Sequence, residues 1–181
     1  NMYNKGSKIL QAKSEVISMA DKKIIDAMWD DSPVDVSTEV NFIWSIANKL
    51  RGTYQSDKYK DVIIPMVIIR RFECALAPTK AKVVETYKAN PGYPAKAMTP
   101  EFDLAELVND SDHLAANFKA YIQGFSANIQ DIIRSLDFDK QIDKMDKNNR
   151  LLSVVKAFSE LDLNPRTIDN VKMGYIFEDL I

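Results

Sequence analysis

The chain has 181 residues, 46% hydrophobic and 28% charged, enough for one domain with a buried core and room for a small appendage. Five Gly and seven Pro supply little turn material, so many-turned sandwiches and barrels are disfavoured. One Cys and one His exclude an internal disulfide framework and a Cys/His zinc site, and they read as a reducing, cytoplasmic context.

The longest apolar run, residues 62–69, has eight residues and includes Pro65, well short of the roughly 18 that a membrane span needs. The first residues are polar and carry no signal-peptide pattern, and Met2, after Asn1, is the expected natural start. A net charge of −2 hides an uneven distribution: residues 49–88 hold nine basic and four acidic groups, whereas residues 89–181 hold ten and fifteen. A local basic segment in an acidic chain fits either a nucleic-acid patch or a solvated helix face.

In chain order, residues 8–29 place Ile9, Leu10, Ala12, Val16, Met19, Ala20, Ile24 and Met28 on one helical face. Ser32-Pro33 breaks that helix. Residues 1–35 therefore read as an N-terminal helical extension and residues 36–181 as the main domain. Ser37 or Thr38 can cap a second helix, whose stripe is Ile43, Ile46, Ala47 and Leu50 and which Gly52 ends. Ser56 or Asp57 opens the next element. Its β-branched density suggests a buried strand, but Pro65 cannot serve a central strand, so the run of about 20 residues through Leu76 is expected to be a largely buried helix kinked at Pro65. Pro78 then suits the first turn of a separate helix over residues 79–89. Residues 90–101 concentrate Pro and Gly and form the one long irregular loop. Helices are expected over residues 103–108, 112–125, 126–136, 140–147 and 151–161, with Asp112, Ser126 and Asp139 as candidate caps. Asn164-Pro165 marks a turn, and Thr167 can cap a last helix. The expected fold is a compact all-α bundle of about eight to ten helices.

The sequence is poor in catalytic signatures. Gly6, Gly52, Gly92, Gly124 and Gly174 are too far apart for a phosphate-cradling loop or a dinucleotide fingerprint. His113, in Ser-Asp-His-Leu, reads as a surface or capping residue, and Cys74, among Phe72, Ala75 and Leu76, as an inert buried thiol. No pair of carboxylates singles itself out as acid and base, and none as a metal site. Asn90-Pro91-Gly92-Tyr93 looks like the Asn/Asp-Pro-Pro-Tyr/Phe box of amino-methyltransferases, but a helical pattern precedes it, Gly replaces the second Pro and no Gly-rich loop lies upstream.

Three blocks carry a resemblance. NFIWSIANKLRGTYQSDKYKDVIIPMVIIRRFECAL, residues 41–76, combines an aromatic-aliphatic helix, a Lys-Leu-Arg-Gly turn, a Ser-Asp-Lys-Tyr start and an aliphatic-Pro-aliphatic run ending in Arg70-Arg71. NDSDHLAANFKAYIQGFSANIQDII, residues 109–133, and RLLSVVKAFSELDLNPRTIDNVKMGYIFEDLI, residues 150–181, follow in order. Together they resemble the opening of the modification (M) subunit of type I restriction–modification systems. That resemblance implies an adenine-specific, S-adenosylmethionine-dependent DNA methyltransferase with a helical N-terminal domain and a Rossmann-like catalytic domain. The chain stops at about the point where the family crosses into the second domain. The missing catalytic motifs are then expected, and no catalytic residue carries over. The implied partners are double-stranded DNA, the specificity (S) subunit, the restriction (R) subunit, a second M subunit and the parent's own catalytic domain.

Within this resemblance Lys49, Arg51, Lys58 and Lys60 become candidates for phosphate contact, followed by Arg70 and Arg71, whose alternative is pairing with carboxylates at a domain or subunit interface. Tyr175, Phe177, Leu180 and Ile181 are candidates either to close the core or to meet the catalytic domain. Two readings stand side by side. One is a non-catalytic domain that helps clamp DNA and assemble subunits. The other is a helical protein-interaction domain without DNA contact.

Overall fold

A computed structural model of the chain describes residues 34–90 and 103–181. The helix expected over residues 8–29 lies outside the described residues, and of the loop expected over 90–101 only Asn90 is described. Asp35–Ile181 forms one compact unit.

Among the described residues there are eight α-helices and no strand, so the all-α expectation holds. We number them α1 Ser37–Ala47, α2 Lys60–Ala89, α3 Leu104–Leu107, α4 Leu114–Gln123, α5 Ala127–Ser135, α6 Phe138–Lys147, α7 Leu151–Glu160 and α8 Asn170–Leu180. The organising element is α7. It packs against α1, α2, α3, α4 and α6, and its Leu151, Val154, Val155 and Phe158 are at most 1% exposed. Phe118 and Phe138 meet edge to face beside it, with ring centroids 6.0 Å apart, the geometry that aromatic quadrupoles favour.

The expected break at Pro78 does not occur. Residues 60–89 form one helix of 30 residues, about 45 Å long, with Pro65 and Pro78 both inside it. Each proline removes one backbone hydrogen bond, but the two sit in different surroundings. Pro65 is buried, where Ile63, Met66 and Val67 bury their side chains on both sides and hold the helical path. Pro78 is exposed, so its ring displaces no core side chain, and the carbonyl it leaves without an i+4 N–H is that of Cys74.

Several caps also come from neighbours of the expected residues. Ser37 and Thr38 give no side-chain cap; instead the Asp35 carboxylate accepts from the Ser37 N–H at 2.9 Å, and that bonding holds the Asp35 pKa below its ordinary value. Asp169, not Thr167, caps α8 by accepting from the Lys172 N–H at 2.8 Å. Thr167 bonds Asp162 and the Asn164 carbonyl within the preceding turn. Asp137, with φ of 53°, rather than Asp139, precedes α6.

One polar cluster joins these helices. The Glu73 carboxylate on α2 accepts from the Arg70 guanidinium, from the Tyr121 hydroxyl of α4 at 2.5 Å and from the Leu104 N–H of α3 at 2.8 Å. A single side chain, 11% exposed, thus satisfies donors from three helices. Burial, and after it the negative charge of Glu73, push the Tyr121 pKa well above the ordinary tyrosine range, so the phenol stays a donor. The Glu73→Ala variant would leave three donors without their common acceptor. The expected loss is about 2–4 kcal/mol, seen as a melting temperature lower by about 5–15 °C. An unchanged melting temperature would contradict the role.

Candidate nucleic-acid interface

The basic segment begins where α1 ends. A short 3₁₀ turn, Asn48–Leu50, carries the chain to Gly52, whose φ of 86° suits glycine because it has no Cβ to clash. The Leu50 carbonyl accepts from the Thr53 and Tyr54 N–H groups at 3.1 and 3.0 Å, closing the turn. Leu50 and Tyr54 are buried and anchor it, while Arg51 and Gly52 between them are exposed. A second 3₁₀ turn, Ser56–Lys58, leads into α2. Lys49, Lys58 and Lys60 are exposed, and Arg51 donates only to Asn48 Oδ1 of its own turn, at 3.2 Å. The structure therefore brings four of the six expected basic candidates onto the double turn and the start of α2, facing solvent.

Arg70 and Arg71 do something else. Arg70 Nε donates to the Leu161 carbonyl at 2.7 Å while its Nη1 donates to Glu73. Arg71 Nη1 donates to the Leu163 carbonyl at 2.8 Å and to the Ile168 carbonyl, and Nη2 donates to Asn170 Oδ1 at 3.0 Å. Both guanidinium groups are staples that fasten the connection between α7 and α8 to the middle of α2. The planar fork of arginine suits several carbonyls arranged in an arc, which a lysine ammonium could not reach together. Their partners lie within the chain and are mostly carbonyls rather than the interface carboxylates expected as the alternative to DNA; Glu73 is the carboxylate among them.

The C-terminal candidates divide as well. Leu180 is 3% exposed and lies in the core with Ile176, while Phe177 is half-buried. Tyr175 and Ile181 face outward, at 44% and 82% exposure, and Val171 one turn before Tyr175 is 61% exposed.

Tyr54 ties the double turn to α6. Its hydroxyl donates to the Gln141 carbonyl at 3.3 Å, and Lys144 Nζ sits 4.0 Å from the centre of its ring. Burial, and then the negative charge of Asp61, push the Tyr54 pKa up to about 12, so the phenol is neutral and donating at physiological pH. Neither Glu73 nor Lys144 stood out in the sequence. A signal existed for each: Arg70 and Glu73 are three apart on a helix, and Lys140, Lys144 and Lys147 repeat at i, i+4, i+7. What they meet across the bundle was not readable.

Among the described residues the other groups singled out in the sequence lie apart from this surface. His113 is exposed and its Nδ1 lies 3.1 Å from Asp110, which it helps hold below the ordinary carboxylate pKa. Cys74 is buried. Among the described residues no group of three His, Cys, Asp or Glu could hold a metal ion, and no helix is long and apolar enough to cross a membrane. A Rossmann-like S-adenosylmethionine site uses a Gly-rich turn between a strand and a helix, and the described residues supply neither strand nor such a turn. They do not fit that cofactor. Asn90 of the Asn-Pro-Gly-Tyr sequence ends α2 and donates to the Thr86 carbonyl at 2.9 Å, whereas residues 91–93 lie outside the described residues.

The model of the HsdM N-terminal domain family matches residues 40–158, which run from within α1 to within α7. The chain belongs to this family. It is an N-terminal domain of the modification subunit of type I restriction–modification systems. Neither the curated proteins nor the solved structures yielded a match. The basic double turn and both stapling arginines fall inside the stretch shared with the HsdM N-terminal domain, while α8 lies beyond it.

The two kinds of cation should separate in experiment. Arg71→Ala is expected to cost about 2–3 kcal/mol and to speed amide exchange over residues 161–170. Lys58→Ala is expected to stay within about 0.5 kcal/mol of the parent in a denaturant melt. Equal stabilities would remove the distinction.

Proposed function

We propose that this HsdM N-terminal domain is the non-catalytic part of an adenine-specific DNA methyltransferase subunit and helps hold duplex DNA while the subunits assemble. The observation that carries this reading is the double turn, which displays Lys49, Arg51, Lys58 and Lys60 to solvent from a scaffold fixed by Leu50 and Tyr54. Phosphate contacts by lysine and arginine are independent of sequence, so they strengthen closure on a duplex without choosing bases. That is the role left for this domain if a specificity subunit reads the target. In this proposal S-adenosylmethionine binds, and methyl transfer takes place, in a Rossmann-like catalytic domain of the parent. The restriction subunit and a second modification subunit complete the assembly in the cytoplasm.

A second reading has its own support. Val171 and Tyr175 are an exposed apolar pair on α8, with Ile181 exposed just past its end, which suits docking to protein, either the catalytic domain or the specificity subunit, with no DNA contact. The two readings differ in salt dependence. With a nonspecific duplex, the DNA reading expects affinity to fall steeply as salt rises, with a log–log slope of about −0.9 for each phosphate neutralised. Each of Lys49→Ala and Lys58→Ala should flatten that slope by about 1. No binding at low salt would overturn the DNA reading and leave protein docking.

A further inference from the structure

The sequence confines the basic character to residues 49–88, and α6 looks acidic or neutral by composition. In the fold α6 is divided by face. Phe138, Ile142 and Met145 are buried and face the core. Asp139, Asp143 and Asp146 follow one position on, and Lys140, Lys144 and Lys147 one position further; all six are exposed. Each set repeats at i, i+4, i+7, so the helix carries three parallel stripes about 100° apart. The aspartate stripe turns toward α4, where Lys119 Nζ contacts Asp143 at 2.5 Å. On the other side lies the double turn, since Tyr54 reaches Gln141 with its hydroxyl and Lys144 with its ring.

We infer that the lysine stripe of α6 continues the basic surface of the double turn, and that Lys144 and Lys147 bind the phosphate backbone of the same DNA duplex. This inference rests on the DNA-holding reading above and adds a second strip of contacts to it. The stripe is about 10 Å long from Lys140 to Lys147 by helical rise. Lys140 is partly neutralised by Asp137, at 2.9 Å. Lys144 is exposed and stands over the Tyr54 ring, an interaction that limits its rotamers, so less entropy is lost when a phosphate arrives. Asp57 and Asp61 are the carboxylates of the double turn itself; Asp61 is half-buried and close enough to act on Tyr54. The surface thus joins Lys49, Arg51, Lys58 and Lys60 with Lys144 and Lys147, against Asp57 and Asp61 of the turn and, at about 100° around α6, the exposed Asp139 and Asp146, while Asp143 is taken up by Lys119. An extended polyanion with evenly spaced charges matches two adjoining basic strips better than a compact anion does.

The test uses the 181-residue chain and a random-sequence duplex of about 30 base pairs in a salt titration, with poly-glutamate as a second probe. Lys144→Gln and Lys147→Gln should each flatten the salt slope by about 1 and weaken binding about eightfold at 0.1 M salt, and the pair together by about 2 in slope. Lys144→Arg, which keeps the charge and the contact with Tyr54, should bind as the parent does. If Lys144→Gln disturbs the turn, Lys147→Gln reads the same stripe without touching Tyr54. Parent binding that Lys49→Gln and Lys58→Gln weaken, but that the α6 variants leave intact, would overturn this inference alone. A parent chain that does not bind the duplex would overturn the DNA reading with it. Poly-glutamate bound as tightly as the duplex, and equally sensitive to the α6 variants, would replace DNA by an acidic protein surface.

Discussion

The arrangement of this domain depends on one carboxylate. Glu73 sits near the middle of a 30-residue helix and gathers donors from α2, α3 and α4. Its oxygens replace water for a guanidinium, a phenol and the first backbone N–H of α3, each of which would be costly to bury alone. The position of α2 is thereby fixed relative to α3 and α4. Arg70 extends the same cluster to the Leu161 carbonyl, and Arg71 takes up the two carbonyls beyond it, so the path from α7 into α8 is fixed from the same helical turn. The apolar core supplies the larger share of the stability, but apolar contacts are not directional. The Glu73 cluster gives the helices their register.

That constraint sorts the cations of the basic segment. Arginine at positions 70 and 71 is used inward, where a planar group with several donors can satisfy several carbonyls. Lysine at 49, 58 and 60 stays outward, where a hydrated point charge loses little by remaining in water until a phosphate arrives. Net charge over residues 49–88 therefore overstates the surface potential of that segment, while the count over residues 89–181 conceals the lysine face of α6. Charge per face, not charge per segment, is the quantity a phosphate backbone meets.

The all-α class was legible because apolar residues recur at helical spacing in nearly every segment, as in Leu151, Val154, Val155 and Phe158. The family was legible from three blocks in order. The continuity of α2 across Pro78 was not, because propensity counts the lost hydrogen bond but not the packing of Ile63, Met66 and Ile69, which commits the helix upstream. Two caps were legible to within two residues: the sequence offered Ser37 and Thr167 where the fold uses Asp35 and Asp169, whereas Asp137, not Asp139, stands at the N-cap position of α6 and makes no side-chain cap bond. The polar contacts of the candidate interface were least legible. Tyr54 and Lys144 are 90 positions apart, and nothing local to either names the other. Leu180 shows the same limit in reverse, since its apolar neighbours fit a core position and a docking position equally well, and only the packing places it at 3% exposure.

The DNA-holding proposal requires the outward lysines of the double turn and α6 to meet the duplex. Lysine acylation followed by mass spectrometry, with and without duplex, tests it most directly because every exposed amine is read at once in the folded chain. DNA should protect Lys49, Lys58, Lys60, Lys144 and Lys147, with Lys156 labelled equally in both states. Protection spread evenly over all lysines, or confined to Lys156 and Lys172, would contradict it.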